Sequence, residues 1–213
     1  MDCCSTQGTN KFFSRWSKTY LKRFRKKGLA KEQNYLVEGI TQQPIVSKTI
    51  LDIGSGVGAL HLSLLERGAA SATGIDLAEG MIEKAKQLAK EMGLDARARY
   101  FVGDFTALNG EAPLSDITVL DKVVCCYEDV DMLVEKSTSK TKELYALSFP
   151  RDFLPVRIMF KTQIFVSKLF GFSFRPYWHD WEGICRNIQS YGFDETYRNR
   201  TIVWAIRVFQ RKR

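Results

Sequence analysis

The sequence lacks a long apolar run, and this absence speaks against a membrane-spanning helix. No segment reaches the roughly 18 consecutive apolar residues that such a helix needs. The N-terminus also lacks the apolar core of a signal peptide and is basic and aromatic instead. We expect one globular domain, because 213 residues with 45% hydrophobic and 26% charged side chains can build one substantial core.

Cysteine is scarce, with five residues in the chain. Adjacent pairs at Cys3–Cys4 and Cys125–Cys126, together with a single Cys185, match neither a disulfide framework nor a C-x-x-C metal site. No histidine pairs with a cysteine in the pattern of a thiol nucleophile. We therefore expect no metal centre and a reducing, cytoplasmic location.

The most informative stretch is an apolar run that ends in alternating glycines. Residues 50–53 have the pattern of a buried strand, Gly54, Gly56 and Gly58 follow, and a helical pattern begins at Ala59. Glycine permits positive φ and lets a ligand approach the backbone closely. Free N–H groups at the helix start attract polar or anionic atoms. The stretch therefore predicts a nucleotide-type ligand at this turn.

Two ligands fit this loop. A dinucleotide fits because the loose G-x-G-x-x-A fingerprint is present and Asp76 lies about 20 residues further on, where a ribose-binding acid belongs. S-adenosylmethionine is favoured by the third glycine, by an acidic turn at Asp104 and by Asp52 just before the loop. A carboxylate at position 52 can hold the ammonium group of that molecule, whereas a dinucleotide would leave it a nearly buried charge without a partner.

Strand and helix patterns alternate along the chain, which predicts an α/β fold with helices on both faces of a parallel sheet. The predicted strands are 49–53, 71–75, 98–102, 116–120 and 143–149, with two closing strands at 193–197 and 201–209. Ligands of such sheets bind at the carboxyl ends of the strands. Asp52, Asp76, Asp104 and Asp121 all fall at that edge, so one common site is expected.

The ordered motifs Asp52–Gly58, Gly74–Leu77 and Gly103–Phe105 resemble those of class I S-adenosylmethionine-dependent methyltransferases. The resemblance covers roughly residues 48–149, and residues 119–127 and 145–152 resemble a small prokaryotic branch of that superfamily. A more distant similarity links the chain to magnesium-protoporphyrin methyltransferases. The resemblance implies a doubly wound, mostly parallel seven-stranded sheet of the Rossmann-like methyltransferase type, with one antiparallel strand near the C-terminus.

The same resemblance implies a cofactor site. Asp104 would accept a hydrogen bond from the adenine amino group, with Phe105 beside the ring, and Asp76 suits both ribose hydroxyls because charge-assisted bonds of that kind are strong. His61, shortly after the glycine loop, is interpreted as a packing or surface residue. The predicted cofactor-binding residues are Asp52, Gly54, Ser55, Gly56, Gly58, Asp76, Leu77, Met81, Asp104, Phe105 and Asp121.

The predicted reaction is methyl transfer to a small, apolar or aromatic acceptor. The sulfonium is already activated, so the protein mainly aligns the acceptor and excludes water. An oxygen or nitrogen acceptor can need a base, and Asp121, Tyr127 and His179 are the candidates. Relatives frequently carry histidine where Cys125–Cys126 stand here, which argues against a histidine base in that loop.

One predicted segment precedes the methyltransferase domain at 48–213, and a second is inserted within that domain. Residues 1–47 are predicted to form an N-terminal helical cap, loose at first and helical from Lys11, and residues 150–191 a helical aromatic substrate lid inserted after the fifth strand. Arg157, Lys161 and Lys168 project on one side of the lid helix. Packing on the sheet is the alternative for both segments, and the lid also suits peripheral membrane contact.

The net charge of +8 is concentrated at residues 11–27 and at the C-terminus. Such a cluster is either a solvated face or a phosphate-binding surface. A second hypothesis is therefore an RNA methyltransferase or a nucleic-acid-binding protein, although no Asn/Asp-Pro-Pro-aromatic signature follows the fourth strand. A third is a dinucleotide-dependent oxidoreductase, which titration with S-adenosylhomocysteine and NAD would separate from the first. The oligomeric state stays open.

Overall fold

The computed structural model describes residues 3–108, 112–169 and 176–212, and among them seven strands form one sheet. Their order across the sheet is β3-β2-β1-β4-β5-β7-β6. The strands are β1 (Thr49–Ile53), β2 (Ser71–Asp76), β3 (Ala98–Val102), β4 (Ser115–Asp121), β5 (Thr141–Pro150), β6 (Phe193–Arg200) and β7 (Trp204–Arg211).

Strand β7 is antiparallel to both of its neighbours, β5 and β6, whereas the pairs among β1 to β5 are parallel. The predicted seven-stranded sheet with one antiparallel strand near the C-terminus is therefore confirmed. The parallel strands carry their carboxyl ends to a common edge, as the alternation of strand and helix patterns indicated.

Helices cover both faces of the sheet. Strand β1 shows why, because Ile50 belongs to one apolar core and Leu51 and Ile53 belong to the other, as alternation across a strand requires. The helices are α1 (Cys3–Lys27), α2 (Lys31–Ile40), α3 (Ala59–Glu66), α4 (Glu79–Glu91), α5 (Val130–Ser139), α6 (Leu154–Leu169) and α7 (Trp181–Ser190).

The N-terminal segment differs from expectation. Helix α1 begins at Cys3, although the sequence pattern predicts a helix only from Lys11. Short polar side chains in residues 3–10 give no apolar periodicity, so the pattern carried no signal for this first part. Helix α1 packs on α4, and a Cβ at Gly80 would lie 2.9 Å from the Cβ of Ser14, so glycine permits this close contact.

Helix α2 is part of the core. Leu36 and Ile40 are completely buried, and the helix packs on β5, β6 and β7. In the predicted lid segment, α6 and α7 are described, while residues 170–175 lie outside the described residues, as does the side chain of Lys168. None of the described helices is long and apolar enough to cross a membrane.

Candidate active site

A cavity of about 450 Å³ lies at the carboxyl edge of the parallel strands. Strands β1, β2 and β4 end in it, with Asp52, Asp76 and Asp121 in its lining. The structure thus brings together acids that lie far apart in the sequence. The residues of the predicted site that line the cavity are Asp52, Gly54, Ser55, Gly56, Asp76, Leu77, Met81, Phe105, Asp121 and Tyr127.

The glycine loop is left-handed at each of its three glycines, with φ of +67° at Gly54, +53° at Gly56 and +80° at Gly58. A Cβ on Gly54 would collide with Val123, whereas one on Gly56 would meet no atom within 4 Å. Gly54 therefore permits close packing on the turn after β4, and Gly56 is the position at which the loop backbone is open to a ligand.

Gly58 has a different role from the one predicted. It does not line the cavity, and a Cβ at this position would lie 3.0 Å from Nε2 of His61. The third alternating glycine thus makes space for a buried side chain in addition to adopting the left-handed turn. The expectation that all three glycines face the ligand is corrected for this one.

Asp76 holds the glycine loop against the end of β2. Its Oδ2 accepts the backbone N–H of Gly56 at 2.8 Å, and its Oδ1 accepts that of Ala78 at 2.8 Å. Burial raises the pKa of Asp76 to about 6, against the lowering effect of these two hydrogen bonds. Each carboxylate oxygen keeps a further lone pair for a ligand hydroxyl.

Asp52 lies in a buried row of hydrogen-bonded side chains. Its Oδ2 is 2.8 Å from Nδ1 of His61, whose Nε2 is 3.0 Å from the hydroxyl of Tyr100. Burial raises the pKa of Asp52, and the contact with His61 opposes that shift. The sequence argument that only a ligand ammonium could partner this carboxylate is therefore wrong, because His61 already does so.

Asp104 and Tyr127 are bonded to each other. Oδ1 of Asp104 accepts the hydroxyl of Tyr127 at 2.9 Å and the backbone N–H of Thr106 at 2.9 Å. Gly103 and Phe105 line the cavity, but Asp104 does not. Burial, with the neighbouring Asp104 carboxylate, raises the pKa of Tyr127, so its phenol stays protonated. In this geometry Tyr127 is a hydrogen-bond donor to Asp104, and its role as a base stays a prediction.

His179 is not brought to the cavity, which contradicts its prediction as a base in the site. Its Nε2 lies 2.9 Å from the carbonyl oxygen of Tyr127, and its ring stacks on that of Tyr177. The backbone N–H of Tyr177 donates to the carbonyl of Cys125, which holds this segment against the turn after β4. The histidine therefore stabilises that turn from outside the site.

Asp121 is the predicted base that does lie in the cavity. Its Oδ1 accepts the hydroxyl of Ser148 at 2.6 Å, and its Oδ2 accepts Nε2 of Gln33 at 2.9 Å. Lys122 extends this cluster, with Nζ 3.6 Å from Asp121 and 2.7 Å from Glu32. Burial lowers the pKa of Lys122, but the two carboxylates outweigh burial and raise it.

The sequence analysis did not predict the polar cluster, which consists of Glu32, Gln33, Asp121 and Lys122. Gln33 and Glu32 lie on α2, and 88 positions separate Gln33 from Asp121. The structure adds a backbone feature at this cluster. Lys122 has φ +62°, a left-handed conformation that is uncommon outside glycine and asparagine. Strained positions of this kind concentrate at functional sites.

The opposite wall of the cavity is apolar. It is built by α1, by α6 and by the first residue of β7. Nζ of Lys122 lies 5.4 Å from the centre of the Trp204 ring, so the polar cluster and the apolar wall meet there. The aromatic and thioether side chains of this wall are Phe12, Phe13, Tyr20, Met159, Phe160 and Trp204.

A family model for a methyltransferase domain matches residues 50–146, the range that holds the glycine loop and all four strand-end acids. Residues 50–146 are therefore similar to a methyltransferase domain. This similarity agrees with the S-adenosylmethionine site that the sequence motifs imply. No group of three metal-ligating side chains is found among the residues that the structure describes.

Solved structures of methyltransferases share the fold of this chain. Magnesium protoporphyrin IX methyltransferase from Synechocystis PCC 6803, with bound S-adenosylhomocysteine, is 21% identical and superimposes with a TM-score of 0.70 over 92% of this chain and 96% of its own. A putative methyltransferase of Haloferax volcanii, in complex with the activator Trm112, is 12% identical with a TM-score of 0.70 over 95% and 96% of the two chains.

A curated relative matches over a shorter range. Release factor glutamine methyltransferase of Rhodospirillum rubrum is 44% identical over 59 residues, which is 27% of this chain and 18% of the relative. The chain therefore spans about a fifth of the length of the curated relative that it matches, and the match says nothing of the acceptor.

Proposed function

We propose that this protein transfers a methyl group to a small, apolar or aromatic molecule. The observation that carries the proposal is that one cavity has the glycine loop and strand-end acids on one wall and mainly aromatic side chains on the other. A cavity of about 450 Å³ is in the range of small-molecule sites. The magnesium protoporphyrin IX methyltransferase, which shares the fold, is itself named for a small-molecule acceptor.

The wall with the acids suits the cofactor. Asp76 would accept the ribose hydroxyls, Asp52 would take the ammonium group, and Phe105 would lie beside the adenine with Leu77 and Met81. Ser55, next in the loop, lines the cavity, and its buried Oγ has no hydrogen-bond partner among the described residues. An orphaned buried hydroxyl of this kind supports a ligand with polar atoms at the loop.

Asp104 suits a positioning role better than direct contact with adenine. Its carboxylate is bonded to Tyr127 and Thr106 and does not line the cavity. It would thereby fix the turn that presents Phe105 to the ring. The predicted adenine contact through Asp104 remains a proposal to be tested by substitution.

Alignment and exclusion of water are the main tasks of the chain in the reaction. When bound, the cofactor supplies an activated methyl group on a sulfonium. Asp121 is the candidate base for an acceptor hydroxyl or amine, because its carboxylate lies in the cavity lining where the polar cluster meets the apolar wall. Gln33 and Ser148, which donate to it, would hold it in place.

The flanking segments suit the acceptor side. Helix α1, from the predicted cap at residues 1–47, and α6, from the predicted lid at 150–191, both contribute to the apolar wall. We therefore propose that both segments, one before the domain at 48–213 and one within it, bind the acceptor. A cytoplasmic location also stays part of the proposal, since Cys125, Cys126 and Cys185 are free thiols.

Binding and transfer assays test this function. We expect calorimetric titration to show binding of S-adenosylhomocysteine and none of NAD. Labelled methyl groups should appear in the small-molecule fraction of a cell extract and not in its RNA, because mainly apolar and aromatic side chains form the wall to which we assign the acceptor. Label in RNA alone would overturn the acceptor class, and binding of NAD alone would overturn the cofactor assignment.

The affinity for S-adenosylhomocysteine should depend on pH. Asp76 has a pKa of about 6, and only its ionised form can accept hydrogen bonds from both ribose hydroxyls. Affinity is therefore expected to be constant above pH 7 and to fall below pH 6, by at most about tenfold per pH unit for one proton. Calorimetry between pH 5 and 8 measures this change.

The matched variant for this experiment is Asp76→Asn. It should bind more weakly at neutral pH and lose the part of the pH dependence that the carboxylate causes. Asp52, whose pKa is raised by burial, would account for any slope that remains. A wild-type affinity that does not change between pH 7.5 and 5 would contradict the ribose assignment.

A further inference from the structure

Helix α6 turns an apolar face to the outside. Val156 and Phe160 are buried, and Phe160 lines the cavity, as expected of a helix packed on the domain. On the opposite side a second apolar row is exposed, within about 60° of the helix circumference at 3.6 residues per turn. This α6 stripe consists of Leu154, Ile158, Phe165 and Leu169, which are 67%, 55%, 66% and 67% exposed.

Such a stripe differs from the scattered exposed apolar residues of any surface. Its four members follow one another along the whole described helix, and Lys161, also exposed, lies on the same side. Arg157 flanks the row and pairs with Asp152 at 2.6 Å. Exposed apolar side chains that are aligned along one helix face, with cations among and beside them, indicate an interaction site.

Helix α1 carries a row of cations. Lys11, Arg15, Lys22 and Lys26 are exposed and lie within about 60° of one another around the helix. Within the described part of the chain, none of these four side chains forms an ion pair, whereas Arg25 on the same helix pairs with Glu91. We refer to these four residues as the α1 basic stripe.

Both helices border the same cavity. Helix α1 contributes Phe12 and Tyr20 to its wall, and α6 contributes Met159 and Phe160. The α6 stripe and the α1 basic stripe are therefore features of the two elements between which we place the acceptor. A partner that engages both would lie next to the acceptor side of the domain.

We propose that the α6 stripe and the α1 basic stripe dock the protein on the surface of a bilayer that contains anionic lipids. Apolar side chains that enter the boundary between headgroups and acyl chains, together with Lys and Arg that meet anionic headgroups, are the two parts of interfacial binding. Nucleic acid would use the cations and leave the apolar stripe exposed. A second copy would bring chains of +8 charge together.

Vesicle sedimentation tests the docking surface. The full chain is mixed with vesicles of phosphatidylcholine alone or with about one third phosphatidylglycerol, at low and at physiological salt. We expect binding to the anionic vesicles that weakens with salt, and little binding to the neutral ones. The double variant I158E/F165E should lower the partition coefficient by about tenfold or more, because it removes apolar burial and adds charge.

A matched variant separates the stripe from surface hydrophobicity in general. Ile202 is 79% exposed and lies on neither helix, so Ile202→Glu should leave vesicle binding unchanged. All variants should give the circular dichroism spectrum and the urea midpoint of the wild type, which shows that they are folded and keeps this test independent of the proposed methyl transfer.

Four results would overturn the proposal. These are equal binding to neutral vesicles, an equal loss for Ile202→Glu and for the stripe variant, and preference for single-stranded RNA over anionic vesicles in competition. The fourth is a wild-type dimer in sedimentation equilibrium that the stripe variant makes monomeric.

Discussion

Replacement of His61 by alanine is expected to lower the free energy of unfolding by about 3–5 kcal/mol, because it opens a cavity in the core and removes two hydrogen bonds from a buried site. His61 has no exposed surface and lies between Asp52 and the hydroxyl of Tyr100. Its loss leaves a buried carboxyl group and a largely buried phenol without their shared partner. Urea denaturation at pH 7 would measure this change.

Two further variants separate the causes of this loss. His61→Leu keeps most of the side-chain volume but removes both hydrogen bonds. If the lost hydrogen bonds cost more than the cavity, this variant should show most of the decrease in the free energy of unfolding that His61→Ala shows. His179 is the other histidine of the chain, is half-buried and bonds a single backbone carbonyl. His179→Ala should cost about 1 kcal/mol, and an equal loss for both alanine variants would refute the argument.

Asp76→Ala is expected to weaken binding of S-adenosylhomocysteine by about 1.5–3 kcal/mol, the value of a hydrogen bond to a charged group. This corresponds to an increase in Kd of about 10- to 150-fold. The alanine also releases the N–H of Gly56, so the loop loses one of its hydrogen bonds to β2 in addition to the ligand contact. Isothermal titration calorimetry at pH 7.5 gives the Kd directly.

The control for this variant is Asp95→Ala. Asp95 is an exposed acid outside the cavity, so its removal changes the net charge by the same amount without touching the site. Its Kd should equal that of the wild type. An Asp76→Ala protein with unchanged affinity would show that the ribose lies elsewhere.

The sheet and its edge could be predicted because their signals are local. Strand β1 is buried on both sides, and its apolar run and the glycines after it are adjacent in the sequence. Once the strands are parallel, topology alone brings Asp52, Asp76 and Asp121 to one edge, and the structure confirms that they line one cavity.

The details of the site could not be predicted because they depend on contacts between distant elements. Nothing near Asp121 in the sequence indicates that Gln33 of α2 donates to it. His61 is nine positions from Asp52, on a helix where its orientation toward the strand depends on how α3 packs. His179 does not line the cavity, because the backbone N–H of Tyr177, two residues before it, donates to the carbonyl oxygen of Cys125.

The attachment of α1 has a consequence for how acceptor preference diversifies. This helix packs chiefly on α4, yet Phe12, Phe13 and Tyr20 contribute to the apolar wall. Substitutions confined to one surface-mounted helix can therefore reshape the apolar wall while the strands and the glycine loop keep their sequence. If this wall receives the acceptor, as we propose, selection can exchange one acceptor for another without rebuilding the edge of the sheet.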